Sequence, residues 1–216
     1  MVTLREIQPG WTDRAVFVGQ TGSGKSTLAR YMLRTRKNRL VWALDVNHLL
    51  DWHLPSSEYP DGEYLEVTTI EELIEKQDYP RLLFHPALER MEDFEYFDLF
   101  FKTAYLKGNV TVYVDEAYAV TKMQTIPFYY KACLTRGRGK GIETWTSSQR
   151  PSSIPSFLLT ESENFYIFRL RFPPDVKKME LMTGFEESEI RRLPKRYFNF
   201  ENGQTSRTNL TLKIEE

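Results

Sequence analysis

The 216 residues contain one cysteine, Cys133, so no internal disulfide can form. A reducing setting fits this count, and Cys133 reads as a small core residue rather than a nucleophile. Long apolar runs are also missing. None approaches the ~18–20 residues that span a bilayer. The opening MVTLREIQPG has no apolar segment of the signal-peptide kind, so neither a membrane span nor a secretory leader is expected. An excess of one charge is absent as well. Twenty-nine basic residues balance thirty acidic ones for a net charge of −1. That excludes a protein that coats nucleic acid by bulk charge, but not one with a local basic track. There is no internal repeat and no low-complexity segment. With 41% apolar and 27% charged residues, the chain reads as soluble and globular. It is long enough to bury a substantial core as a single domain, 1–216.

What is present begins with short apolar runs. Ala15–Val18 reads as a buried strand ending at a glycine, and Ser26 to about Arg36 as a helix with Leu28, Tyr31 and Met32 available for its inner face. Leu40–Leu44 and Val110–Val114 read as further buried strands, Arg81–Phe84 is another apolar run, and Glu143–Ser147 and Phe165–Leu170 are strand candidates. Helices are predicted around Glu92–Leu106 and Ile126–Thr135. Strand–loop–helix–strand order implies a parallel sheet with crossover helices, an α/β fold. At the end, Tyr197–Phe200, the Asn202-Gly203 turn and Arg207–Ile214 read as a hairpin, with Thr208, Leu210, Leu212 and Ile214 on one face.

Gly19-Gln20-Thr21-Gly22-Ser23-Gly24-Lys25-Ser26 matches G-x-x-x-x-G-K-[ST] in full. Glycines free the backbone to point successive N–H groups into one concavity, where phosphate oxygens are held. The helix that follows adds its positive end. Lys25 is placed for the β- and γ-phosphates of a nucleoside triphosphate and Ser26 for Mg²⁺, with Thr27 next in the helix. Within Thr111-Val112-Tyr113-Val114-Asp115-Glu116, an apolar strand delivers two acids at its C-terminal end. Asp115 is positioned for the Mg²⁺ shell and Glu116 to polarise an attacking water. No Asn-Lys-x-Asp base-reading motif of switch GTPases occurs.

Gln149 is expected at the tip of an adjacent strand. Its amide can hydrogen-bond both a γ-phosphate and the attacking water. Between the two strands lies Arg136-Gly137-Arg138-Gly139-Lys140. It is either a basic surface loop or the source of an arginine, Arg136 in preference to Arg138, that enters a neighbouring subunit's site. Lys140 and the other arginine are alternatively contacts to nucleic-acid phosphates.

Taken together, GQTGSGKS, VYVDEA and RGRGKGIETWTSSQRPSSIP resemble the HerA–FtsK superfamily of DNA-translocating ATPases. They are most similar to its viral genome-packaging members, including those of membrane-containing icosahedral viruses. The resemblance covers residues 15 to about 170, with 171–216 as a C-terminal extension. It implies a RecA-like P-loop NTPase core, a mostly parallel sheet flanked by helices. It also implies ATP and Mg²⁺ as ligands, and a homo-oligomeric ring, commonly a hexamer, threading double-stranded DNA. By position, Lys25 and Ser26 bind phosphate and metal, Asp115 and Glu116 form the Walker B pair, Gln149 is the sensor, and Arg136 or Arg138 acts in trans. A packaging motor would work in the host cytoplasm or on the virion, docked on a capsid vertex or membrane protein. Asp45 is followed by Val46 where larger members have proline, and no role is assigned to it. The alternatives are a nucleotide or small-metabolite kinase, and a nucleotide-switched morphogenesis protein. Residues 56–100 hold thirteen acidic against three basic residues, and 121–150 six basic against one acidic. A ring with a basic channel and an acidic rim would fit that asymmetry.

Overall fold

The computed structural model describes residues 6–122 and 124–211. One nine-stranded sheet organises them. Its strands are β1 (Arg14–Val18), β2 (Leu40–Asp45), β3 (Leu65–Val67), β4 (Arg81–Phe84), β5 (Val110–Asp115), β6 (Glu143–Ser148), β7 (Asn164–Phe168), β8 (Tyr197–Glu201) and β9 (Ser206–Thr211). The spatial order is β3-β4-β2-β5-β6-β1-β7-β8-β9. The first seven in that order are parallel, and β8 and β9 continue antiparallel. The helices are α1 (Lys25–Arg34), α2 (Ile70–Glu75), α3 (Phe94–Lys107), α4 (Phe128–Arg136), α5 (Ser156–Thr160), α6 (Pro173–Thr183) and α7 (Glu187–Arg191).

Both faces of the central strands are covered, so β1, β2 and β5 are apolar runs, while β6 between β5 and β1 buries polar side chains from Glu143 to Ser148. Val16 and Val18 face one core, with Val112, Val114, Phe100, Phe101 and Tyr130 among its members. Ala15 and Phe17 face the other, with Leu28, Met32, Tyr113, Trp145 and Tyr166. Phe17 stacks on Tyr166 with ring centroids 4.6 Å apart. Cys133 is buried, as its reading as a core residue requires. Because β1, β2, β5, β6 and β7 run parallel, Val18, Asp45, Asp115, Ser148 and Phe168 all end at the same edge. Ligands of open α/β sheets bind at that edge.

The C-terminal hairpin forms, but its face differs from expectation. Phe198 pairs with Leu210 and Phe200 with Arg207, so two steps on β8 match three on β9. A bulge at Asn209, with φ 54°, absorbs the extra residue and breaks the alternation. The Asn209 N–H donates to Asn199 Oδ1 at 3.1 Å. Leu210 therefore shares a face with Arg207, not with Thr208. Leu212 and Ile214 lie outside the described residues.

Candidate active site

The loop after β1 is held by its own backbone. The Gly19 N–H donates to Ser148 O at 3.2 Å, and the Gln20 N–H to Arg169 O at 3.3 Å. At Gly19 a Cβ would sit 2.5 Å from Phe168 Cβ, so any side chain there would displace β7. Gly24 takes φ 109° where the loop turns into α1, a left-handed conformation that favours glycine. The turn delivers Lys25 into the cradle, buried, with its Nζ donating to Gly19 O at 2.8 Å and Gln20 O at 3.2 Å. Burial lowers the Lys25 pKa, and the charges of Asp115 and Glu116 partly oppose the shift.

Ser26 Oγ donates to Asp115 Oδ1 at 3.0 Å. That is about the spacing of neighbouring ligands on an octahedral Mg²⁺ with ~2.1 Å bonds, so these two oxygens fit the ion. Tyr113 OH donates to the same carboxylate oxygen at 2.6 Å. Tyr113 and Asp115 lie two apart on β5 and so project to one side. Burial raises the Asp115 pKa, opposed by the Tyr113 hydrogen bond and reinforced by the charge of Asp45. A bound cation would hold this buried carboxylate ionised.

Glu116 sits just beyond β5 at φ 59°, ψ 76°, a left-handed conformation that costs a non-glycine residue about 1–3 kcal/mol. Its carboxylate is fixed from both sides. Ser148 Oγ donates to Oε1 at 2.9 Å, and the Gln149 N–H donates to Oε2 at 2.9 Å. Burial raises its pKa, against the pull of those two donors. The result is a carboxylate more basic than usual, aimed by backbone strain and two hydrogen bonds, as a residue that polarises water requires. Gln149 follows β6, and its Oε1 accepts from Thr21 Oγ1 at 2.5 Å, tying the strand tip to the phosphate loop. These groups line one cleft of about 700 Å³, which Thr27, Leu50 and Trp52 extend.

The structure thus brings together Lys25, Ser26, Asp115, Glu116 and Gln149. It does not bring Arg136 or Arg138 to them. Both precede β6, at the opposite edge of the sheet, and six strand residues span about 20 Å. Arg138 pairs with Glu163 at 2.9 Å. Arg136 is exposed and makes no side-chain ion pair or hydrogen bond among the described residues. Sequence reasoning missed Tyr113 and Ser148. The two-residue period of β5 signals the first, while the second is visible only once β6 lies beside β5. Asp45, to which no role was given, is fully buried and registers directly against Asp115.

This fold and this site define a P-loop ATPase with a mostly parallel, RecA-like sheet. The chain is similar to the DNA packaging ATPase P9 of Enterobacteria phage PRD1, at 28% identity over 193 residues, covering 89% of this chain and 77% of that protein. Among solved structures, it resembles the genome packaging NTPase B204 of Sulfolobus turreted icosahedral virus 2. There the TM-score is 0.76 at 18% identity, over 95% of this chain and 99% of that one. The cytoplasmic domain of the Thermomonospora curvata Type VII secretion ATPase EccC shares the fold more loosely. Its TM-score is 0.58 at 14% identity, over 97% of this chain but 27% of that one. No family model matches. The resemblance to viral genome-packaging ATPases read from the motifs is borne out by these relatives.

Proposed function

We propose that the protein is the ATPase subunit of a viral packaging motor that hydrolyses Mg²⁺–ATP to thread double-stranded DNA. One observation carries the reading. Lys25, Ser26, Asp115, Glu116 and Gln149 converge on one cleft, in a chain that aligns over most of its length with a DNA packaging ATPase. Lys25 binds the β- and γ-phosphates, exchanging its contacts to the loop carbonyls for phosphate oxygens. Ser26 and Asp115 hold the Mg²⁺, which supplies charge neutralisation between the phosphates. Glu116 orients and polarises the attacking water, and Gln149 contacts the γ-phosphate end. Hydrolysis changes what Gln149 meets at the end of β6, and its bond to Thr21 links that change to the phosphate loop.

The same reading places the protein in a homo-oligomeric ring, a hexamer, active in the host cytoplasm or on the virion and docked on a capsid vertex or membrane protein. Arg136 is the arginine that enters the neighbouring site. Its freedom from partners and its distance from its own cleft support that role over Arg138, which Glu163 engages. The exposed bases of the basic segment 121–150, Lys140 among them, face DNA. Among the described residues no helix is long and apolar enough to cross a membrane.

Displacement of a triplex-forming strand from linear double-stranded DNA tests the motor. ATP should release the third strand, and a non-hydrolysable analogue should not. Turnover that requires a small phosphoryl acceptor, with no strand release, would instead favour a kinase.

A further inference from the structure

The chain has three histidines, His48, His53 and His85. All three lie together beside the nucleotide cleft, where β2 and β4 end and the 46–64 connection passes over β3. His85 stacks on His48 at 4.6 Å between ring centroids and meets His53 edge-on at 5.3 Å. Glu66 on β3 reaches both of the others. Its Oε1 lies 2.6 Å from His85 Nδ1, and its Oε2 lies 4.0 Å from His53 Nε2. One donor atom from each of His53, Glu66 and His85 lies within 4.8 Å of the other two.

We propose that His53, Glu66 and His85 form a binding site for a first-row transition-metal ion, with Zn²⁺ its natural occupant. Two imidazoles and one carboxylate are a donor set this ion takes, with a water completing a tetrahedron. Ligand atoms on tetrahedral Zn²⁺ stand about 3.4 Å apart, so closure needs side-chain movements of about 1 Å. The hydrogen bonding behind the site fits a ligand histidine. Asp45 Oδ2 lies 3.1 Å from His85 Nε2. A proton on Nε2, donated to Asp45, leaves the Nδ1 lone pair facing Glu66, the carboxylate–histidine–metal arrangement. Asp45 is fully buried, and among the described residues its Oδ1 has no hydrogen-bond partner. His53 Nδ1 is likewise buried and without a partner. A cation held by His53, Glu66 and His85 brings positive charge next to that buried polarity. His48 stands outside the ligand set, because the three donor atoms that lie within reach of one another come from His53, Glu66 and His85.

The ion would fasten the 46–64 connection to the sheet. Leu50, Asp51 and Trp52 of that connection line the nucleotide cleft. Asp45 also stands beside Asp115 in the sheet, so the new site and the Mg²⁺ site are electrostatic neighbours.

The test is titration of the chelator-treated full chain with Co²⁺, followed by its visible absorption, and with Zn²⁺, followed by calorimetry. One ion per chain is expected, with d–d bands of a four- or five-coordinate centre. His53→Ala and Glu66→Gln should each weaken binding by about tenfold or more. Asp115→Asn, which removes the Mg²⁺ carboxylate, should leave this binding intact. His53 is partly exposed, so its truncation leaves the core undisturbed. Absence of binding would overturn the proposal, and the cluster would be an ion-paired network around His85. Binding lost in Asp115→Asn but kept in His53→Ala would overturn it too, because the ion would then sit in the nucleotide site.

Discussion

At the scale of single residues, the proposed mechanism turns on Glu116. Its backbone is strained, its carboxylate is doubly held, and burial raises its pKa above the ordinary 4.5. Glu116→Gln keeps the shape and the acceptor but removes the base. ATP should still bind while turnover falls by about 10²–10⁴, measured by filter retention of nucleotide against phosphate release. The same substitution should make the nucleotide-free protein more stable at neutral pH. A carboxyl whose folded pKa exceeds its unfolded one costs the fold stability once pH is above the folded value. Below 4.5 both states are protonated and the cost disappears. The Tm of Glu116→Gln should therefore exceed that of the parent at pH 7, the gap closing as pH falls toward 4.5. A gap that does not change with pH would show that the carboxyl is not shifted. Lys25, Ser26, Asp115 and Glu116 were legible in the sequence because each sits in a motif with local spacing. Ser148 and Asp45 were not, because their partners are 32 and 40 positions away and meet them only across the sheet.

At the scale of elements, the strands that carry the site were readable and several others were not. β1, β2 and β5 are buried on both faces, and an apolar run ending at Gly or Asp announces such a strand; β6 is as deeply buried but reads Glu-Thr-Trp-Thr-Ser-Ser, so its signal is weaker. β3 has three residues and α5 and α7 five each, too short for periodicity to register. α6 did leave a signal, with Pro173 and Pro174 at its start and Gly184 in left-handed conformation at its end. Glu143, the first residue of β6, fixes that strand between its neighbours. Fully buried, it accepts from Arg36 at 3.1 Å and from Thr111 Oγ1 at 2.8 Å. Arg36 is itself buried, so Glu143→Ala would strand a charge. The expected loss is about 3–5 kcal/mol of unfolding free energy, read from the urea midpoint with an unchanged slope. A loss under ~1 kcal/mol would mean that water reaches Arg36.

At the scale of the whole molecule, the proposed mechanism has the chain present half of a catalytic site. The phosphate loop, the two acids and Gln149 gather at one edge of the sheet, and Arg136, without a side-chain partner among the described residues, stands at the other. In the proposed ring, one subunit's far edge would meet the next subunit's cleft. The sequence motifs implied this division of labour, but the sheet topology was needed to place the arginine out of reach of its own site. The most direct test is ATP turnover of wild type mixed with increasing fractions of Arg136→Ala, with and without double-stranded DNA. DNA should raise wild-type turnover, more so at low salt, and activity should fall more steeply than the mutant share. Turnover that ignores DNA and declines only in proportion to the mutant fraction would contradict a shared site in a DNA-driven ring.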